Sequence, residues 1–319
     1  MTVSLPSGCF LFLLYQFSDK LSRRRQKTES KQSYKGILLI ILSAFCFAWM
    51  NAFVRLAGDL PSVQKSFFRN AVALVIAALT LLRNRKDFHF QKEGMGFLVL
   101  RALFGTIGIL CNFYAIDHLV LSDASMLNKM SPFFTLLFSW ILLKEKLRPV
   151  QAAAVITAFL GSLLIIRPSL HFTDFSASFA GLCGGIAAGA AYAMVRILGQ
   201  KGMNKTFIVL FFSGFSCLCT APFLLLDFHP MTWVQLLMLL GAGLAAAGGQ
   251  FSITAAYCYA PAKEISVYDY SQIIFATSLG FFLFGEVPDI WSFIGYGIII
   301  FAAVGMFWYN QIYQKQKSS

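Results

Sequence analysis

From Gly36 onward the chain alternates long apolar blocks with short gaps in which the polar residues collect. Ten blocks are long enough for a bilayer helix, which needs about 20 residues at a rise of roughly 1.5 Å each. They lie near 36–57, 62–82, 95–116, 122–143, 149–167, 177–200, 204–227, 231–259, 264–285 and 289–312. The eighth is overlong, and a break or bend is expected around Gly248-Gly249. The pattern predicts an all-α, polytopic membrane protein with ten transmembrane helices.

The blocks repeat. A shift of 141 positions carries Asp123 to Glu264, Ser125 to Ser266, Phe134 to Phe275, Leu142 to Leu283 and Glu145 to Glu286 without a gap. The same shift sets Ala52-Phe53-Val54-Arg55 on Ala193-Met194-Val195-Arg196, and Gly108 on Gly249. One module of five spans is therefore present twice, at 36–168 and 177–312, between a basic tail at 1–35 and a short tail at 313–319. Five is odd, so the second copy enters the membrane upside down. An inverted repeat has two pseudo-equivalent arrangements, open to either side of a midplane site, which is the geometry of alternating access.

Composition agrees: 58% of the residues are apolar, 13% are charged and the mean hydropathy is +0.69, leaving too much apolar surface for a soluble globule. The net charge of +12 would suggest nucleic acid in a soluble protein. Here the basic residues sit at the ends of apolar blocks, where they orient spans, so no nucleic-acid partner is expected. Placing them inside sets Arg83, Arg85, Lys86, Lys92, Lys144, Lys146, Arg148, Lys201, Lys205 and Lys263 on one side with both tails. Lys65 and Arg167 are exceptions near span ends, where a long side chain can snorkel. Both termini are thus expected in the cytoplasm of a multi-pass protein of the cell membrane. The apolar patch Cys9–Phe17 is too short to span, and its charges follow it rather than precede it, unlike a secretory signal. The first 35 residues read as a disordered or interfacial tail, with a start codon assigned too far upstream as the alternative.

Cys46, Cys111, Cys183, Cys217, Cys219 and Cys258 lie inside apolar blocks, without zinc-ligand spacing, and read as free packing thiols. The glycine-rich runs 181–189 and 241–249 place small residues every fourth position, which lets helices approach closely. They lack the Lys-Ser/Thr of a phosphate loop, and neither a nucleophile elbow nor a His-Glu-x-x-His is present. His89, His118, His171 and His229 fall in predicted loops. No catalytic residue, cofactor or metal is expected.

The order of short motifs resembles the drug/metabolite transporter superfamily, and within it the ten-helix EamA carriers, over about Tyr34 to Tyr313. The pieces are Phe68-Arg69-Asn70, Leu100-Arg101-Ala102-Leu103-Phe104-Gly105, Tyr114-Ala115-Ile116, Ser131-Pro132-Phe133-Phe134, Leu143-Lys144-Glu145-Lys146-Leu147 and Gly285-Glu286-Val287-Pro288. The second copy has Gln272-Ile273 where the family often has a proline, which argues against a kink in the ninth span. The resemblance implies a secondary carrier of small metabolites, many members exporting amino acids or their derivatives. An intramembrane enzyme or a lipid-handling scaffold is the alternative. Membrane lipids and a small-molecule substrate are the expected partners, and the chain is expected to be a monomer or weak homodimer.

An ionisable group inside a span costs a few kcal/mol on insertion scales, so it marks function or pairing. Arg69, Asn70, Asn112, Tyr114, Asn128, Lys129, Tyr268, Tyr270, Gln272 and Trp49 are the expected substrate-binding residues. Asp269, the only carboxylate well inside a span, is the expected proton-coupling residue, because burial favours its neutral form. The repeat sets Asn128 against Asp269 and Lys129 against Tyr270, so the two clusters approach the midplane from opposite faces. Bland readings stand beside these. Arg69 and Arg101 could pin helices together, Lys129 could snorkel outward, and Glu145 and Glu286 could bind neighbouring helix ends or basic loop residues. Arg69, Arg101 and Lys129 outnumber Asp269, and that excess predicts a substrate with an anionic group, held first by Arg69.

Overall fold

The computed structural model describes residues 7–84, 92–118, 127–166, 175–285 and 287–316. Arg85, Lys86, His89, Asp123, Ser125, Arg167, His171 and Glu286, all used above, lie outside them. The described chain is helical: α1 Ser7–Leu56, α2 Ser62–Arg83, α3 Met95–His118, α4 Ser131–Leu143, α5 Pro149–Ile166, α6 Phe175–Gln200, α7 Lys205–Leu226, α8 Trp233–Tyr259, α9 Ser271–Phe284 and α10 Ile290–Gln316. Seven of them carry apolar spans of at least 21 residues, while α4, α5 and α9 are shorter apolar helices. The protein is a polytopic membrane protein of about ten helices.

Local sequence explains several boundaries. Asn204 caps α7 by accepting from the backbone of Thr206 and Phe207, and Thr232 with Gln235 forms a capping box on α8. Lys144 and Gly285, which the repeat makes equivalent, end α4 and α9 in the left-handed conformation at φ 52° and 68°.

The packing follows the repeat. The extensive contact of α1 with α8 is matched by that of α3 with α6, α4 on α6 by α9 on α1, and α2 on α8 by α7 on α3. The remaining large contacts, α2 with α7 and α5 with α10, each pair a helix with its own copy. Exchanging every helix with its counterpart thus reproduces these contacts, as a two-fold relation between the repeats requires, while the contact of α6 with α8 has no equally extensive α1–α3 counterpart among the described residues. The match extends to atoms. At the α3–α6 crossing the backbones of Gly108 and Gly184 are so close that an added Cβ on either would lie 3.3–3.4 Å from the other's carbonyl oxygen. At the equivalent α1–α8 crossing Ser43 Oγ donates to the carbonyl of Gly249 at 3.0 Å. Small residues drive both crossings, since apolar burial gives little association energy within lipid.

Four expectations are corrected. The fourth span is not one regular helix through its described residues, its start at 122 lying outside them, and the ninth does not run from 264 as a regular helix. Residues 129–130 form a turn before α4, and Ser266–Tyr270 form a 3₁₀ segment before α9, preceded by a four-residue helix, Ala262–Ile265. The ninth span is therefore interrupted despite lacking a proline. The eighth span runs unbroken through Gly248-Gly249. Those glycines serve close approach to α1, where a Cβ on Gly249 would come within 2.6 Å of the Phe47 ring. Finally, α1 is continuous from Ser7, so residue 35 marks no helix boundary.

Candidate functional site

The two interrupted spans meet. Lys129, in the turn before α4, points its ammonium at the 3₁₀ segment before α9. It donates to Gln272 Oε1 at 2.7 Å and lies 3.4 Å from Asp269 Oδ2 and 3.5 Å from the Asp269 carbonyl. Tyr270 returns the contact, its hydroxyl donating to the Lys129 carbonyl at 3.1 Å. Lys129 is 6% exposed, Asp269 7% and Tyr270 0%. Irregular backbone leaves carbonyls without helical partners, which membrane proteins tolerate only where protein or a cavity satisfies them. Here a lysine and a tyrosine do so across the repeat boundary. Lys129 does not snorkel; it joins the two halves.

A second group lies on α2, α3, α7 and α8. The buried face of α2 is its polar face, carrying Gln64, Ser66, Arg69 and Asn70. Asn70 Nδ2 donates to Ser216 Oγ at 2.9 Å. The Arg69 guanidinium carbon stands 5.9 Å from the Phe47 ring centroid, and that of Arg101 stands 4.1 Å from the Phe212 centroid. Arg101 Nη2 donates to Gln250 Oε1 at 3.2 Å. Phe47 packs against Gly249 and Arg101 against Gln250, so both cations sit at one level of α8. Tyr192, whose ring stacks on Tyr257 at 5.2 Å, is within electrostatic reach of both guanidiniums and of Asp269.

Other predicted residues are placed elsewhere. Tyr114 is 42% exposed and stacks on His118, which is the last residue of α3 rather than a loop residue. Asn112 lies at the crossing with α6, where its backbone nitrogen is 3.2 Å from a Cβ added to Gly184. Trp49 faces Phe45 and Phe53 along one side of α1. Tyr268 is buried, and its hydroxyl has no hydrogen-bond partner among the described residues. Asn128, half-buried, precedes the turn. Sequence reasoning passed over Gln250, although a polar residue in an apolar block is the signal that found the others. Phe47 and Phe212 carry no such signal among 34 phenylalanines.

At the end of the bundle where Ser33 and Tyr313 lie, Arg196 Nε pairs with Glu145 Oε1 at 3.2 Å, and its Nη1 reaches carbonyls in the last turn of α8, Tyr257 and Cys258, at 3.4 Å. Glu145 thus binds a neighbouring helix end. A cavity of about 670 Å³ opens beside this pair, lined by Ser33, Lys205, Tyr259, Glu264 and Tyr313. Among the described residues no cluster of His, Cys, Asp and Glu could hold a metal ion.

Known proteins match this arrangement. The model of the EamA-like transporter family matches residues 34–167 and again 179–308. The chain is 31% identical over 274 residues to the pseudopaline exporter CntI of Pseudomonas aeruginosa, covering 85% of this chain and 95% of that one. It is 28% identical to solute carrier family 35 member G1 of Homo sapiens, over 85% of this chain and 78% of that protein. A solved crystal structure superposes with a TM-score of 0.71 at 15% identity, covering 84% of this chain and 94% of the other, and so shares the fold. The matched proteins are transporters rather than enzymes, and this chain, a multi-pass membrane transporter, belongs to the EamA-like transporter family.

Proposed function

We propose that the protein is a secondary carrier, an exporter or exchanger, of small polar metabolites, with amino acids or their derivatives as the substrate class. In this reading substrate moves by alternating access around the interrupted spans. The observation that carries it is the Lys129 bridge to Asp269 and Gln272, because a single buried contact there ties the break in one repeat to the break in the other. Discontinuous helices facing each other across an inverted repeat are the usual place for substrate and coupling ions to bind. Rocking one repeat against the other has to strain or break this bridge, so whatever competes for Lys129 or Asp269 biases the two arrangements. A proton arriving at Asp269 would release Lys129, which makes the pair a coupling device as well as a join.

The test is solute counterflow in proteoliposomes containing the purified protein and no energy source, with a panel of amino acids. Accumulation of labelled amino acid against an unlabelled internal pool is expected, and an imposed pH gradient should accelerate it. Asp269→Asn should remove the pH-gradient dependence. Absence of counterflow for the whole panel would defeat the carrier reading; the same pH dependence in Asp269→Asn would defeat the coupling role.

A further inference from the structure

The buried charges do not balance, and the imbalance is localised. Of the cations inside the bundle, Lys129 has Asp269, and Arg196 has Glu145. Arg69 and Arg101, only 6% and 2% exposed, form no ion pair among the described residues. A guanidinium cannot shed its proton as an amine can, so burial leaves each of them charged. An uncompensated buried charge is costly. A ring face and one amide oxygen recover part of that cost for Arg101, and a ring face does so for Arg69, whose Nε has no hydrogen-bond partner among the described residues.

Unused polar groups lie on the same helices as these cations and their partners. Among the described residues Arg101 Nε also lacks a partner, as do the hydroxyls of Ser66, Ser213 and Thr254. Ser66 lies one turn before Arg69 and Asn70 on α2. Ser213 adjoins Phe212 and stands one turn before Ser216, the partner of Asn70. Thr254 lies one turn after Gln250. Each therefore shares a helix face with a residue that touches the arginine group. Buried polar atoms in native proteins are nearly always satisfied, and a cluster that is not calls for a ligand, an ion or water as its partner.

Resting on the carrier reading above, we infer that the transported substrate carries two negative charges, which Arg69 and Arg101 hold together while Ser66, Ser213 and Thr254 complete its hydrogen bonds. This differs from a simple zwitterion. Asp269 is engaged by Lys129, no acid pairs with either guanidinium among the described residues, and the net charge of the arginine group is +2. Two carboxylates, one per guanidinium, or a single phosphate group spanning both would meet the same chemistry.

Purified wild-type protein is assayed for ligand-induced thermal stabilisation with succinate, glutarate and adipate, each beside its monoamide and diamide, and with inorganic phosphate. Length is held within each set while charge falls from two to none. At least one dianion should bind about tenfold or more tightly than its matched monoamide, the factor one charged hydrogen bond supplies. A response confined to phosphate would assign a phosphate group, and one confined to the diacids two carboxylates. Equal stabilisation by diacid, monoamide and diamide, or none from any dianion, overturns the inference. Arg69→Gln and Arg69→Lys then separate recognition from support: recognition requires the diacid to fall toward the affinity of its monoamide, whereas equal losses for both would mean a structural role. The wild-type series needs no variant to fold. If a dianion binds with this preference but no solute exchanges in liposomes, the carrier reading fails and the anion site stands. If exchange proceeds without the preference, the reverse holds.

Discussion

Two buried cationic regions lie side by side in this bundle and are handled oppositely. Lys129 has an acid at 3.4 Å, an amide oxygen at 2.7 Å and a tyrosine hydroxyl on its own carbonyl. Arg69 has an aromatic face and no ion pair among the described residues. A fully partnered ion pair between two repeats holds an arrangement together, whereas an unpartnered cation keeps its interaction in reserve for something that arrives from outside. On the proposed carrier reading, the difference separates a part of the site that would set conformation from a part that would set chemistry. It also predicts opposite signs for removing a charge from the two regions.

The largest effect is expected at the bridge. Lys129→Ala leaves Asp269 buried without a partner, and breaking such a pair from one side costs about 3–5 kcal/mol. Thermal unfolding of the purified variant should show this, and Lys129→Met combined with Asp269→Leu should recover most of it, since neither charge then remains buried. If the single variant loses less than the double, the bridge is not a compensated pair and the contrast collapses. Arg69→Met should move stability the other way. Removing an uncompensated guanidinium and filling its space with an apolar side chain is expected to stabilise the ligand-free protein by about 1–3 kcal/mol. A destabilisation of that size would show that Arg69 is already satisfied and pins α2 in place.

Much of this was legible in the chain, for physical reasons that stop at a definite point. The 141-residue repeat fixes which helices are counterparts, and the contacts between α1 and α8 and between α3 and α6 follow from it with their small residues in register. Polar residues in apolar blocks had to converge, because lipid offers them nothing, and so Lys129, Asp269, Tyr270 and Gln272 were nameable in advance. What the pattern did not reveal was direction. Tyr114 and Trp49 satisfy the same criterion as Tyr270, and only packing decides that Tyr114 turns to His118 and Trp49 to Phe53. The break before α9 was hidden for a related reason. Proline marks a break locally, as Pro132 does at the start of α4, but Ser266–Tyr270 contain no breaker. Their 3₁₀ form accompanies contacts made 140 residues away, at Lys129.

Tyr270 offers the smallest and most specific test of the contrast. Its hydroxyl donates to the backbone carbonyl of Lys129, so it supports the position of the lysine without touching the ammonium. In the repeat Tyr270 is the counterpart of Lys129 itself: one repeat contributes a cation to the join and the other a hydroxyl. Tyr270→Phe keeps the ring against Phe159 and removes one hydrogen bond from a buried carbonyl. That loss is expected to be about 0.5–1.5 kcal/mol. Because the ion pair stays intact, the effect should shrink when Lys129 and Asp269 have already been replaced by Met and Leu, and a double-mutant cycle in thermal stability measures the coupling. Coupling indistinguishable from zero would mean that the hydroxyl merely satisfies a turn. Measurable coupling, together with unchanged stability differences between Arg69→Met and its parent in the Tyr270→Phe background, would place the bridge and the arginine group in separate energetic units.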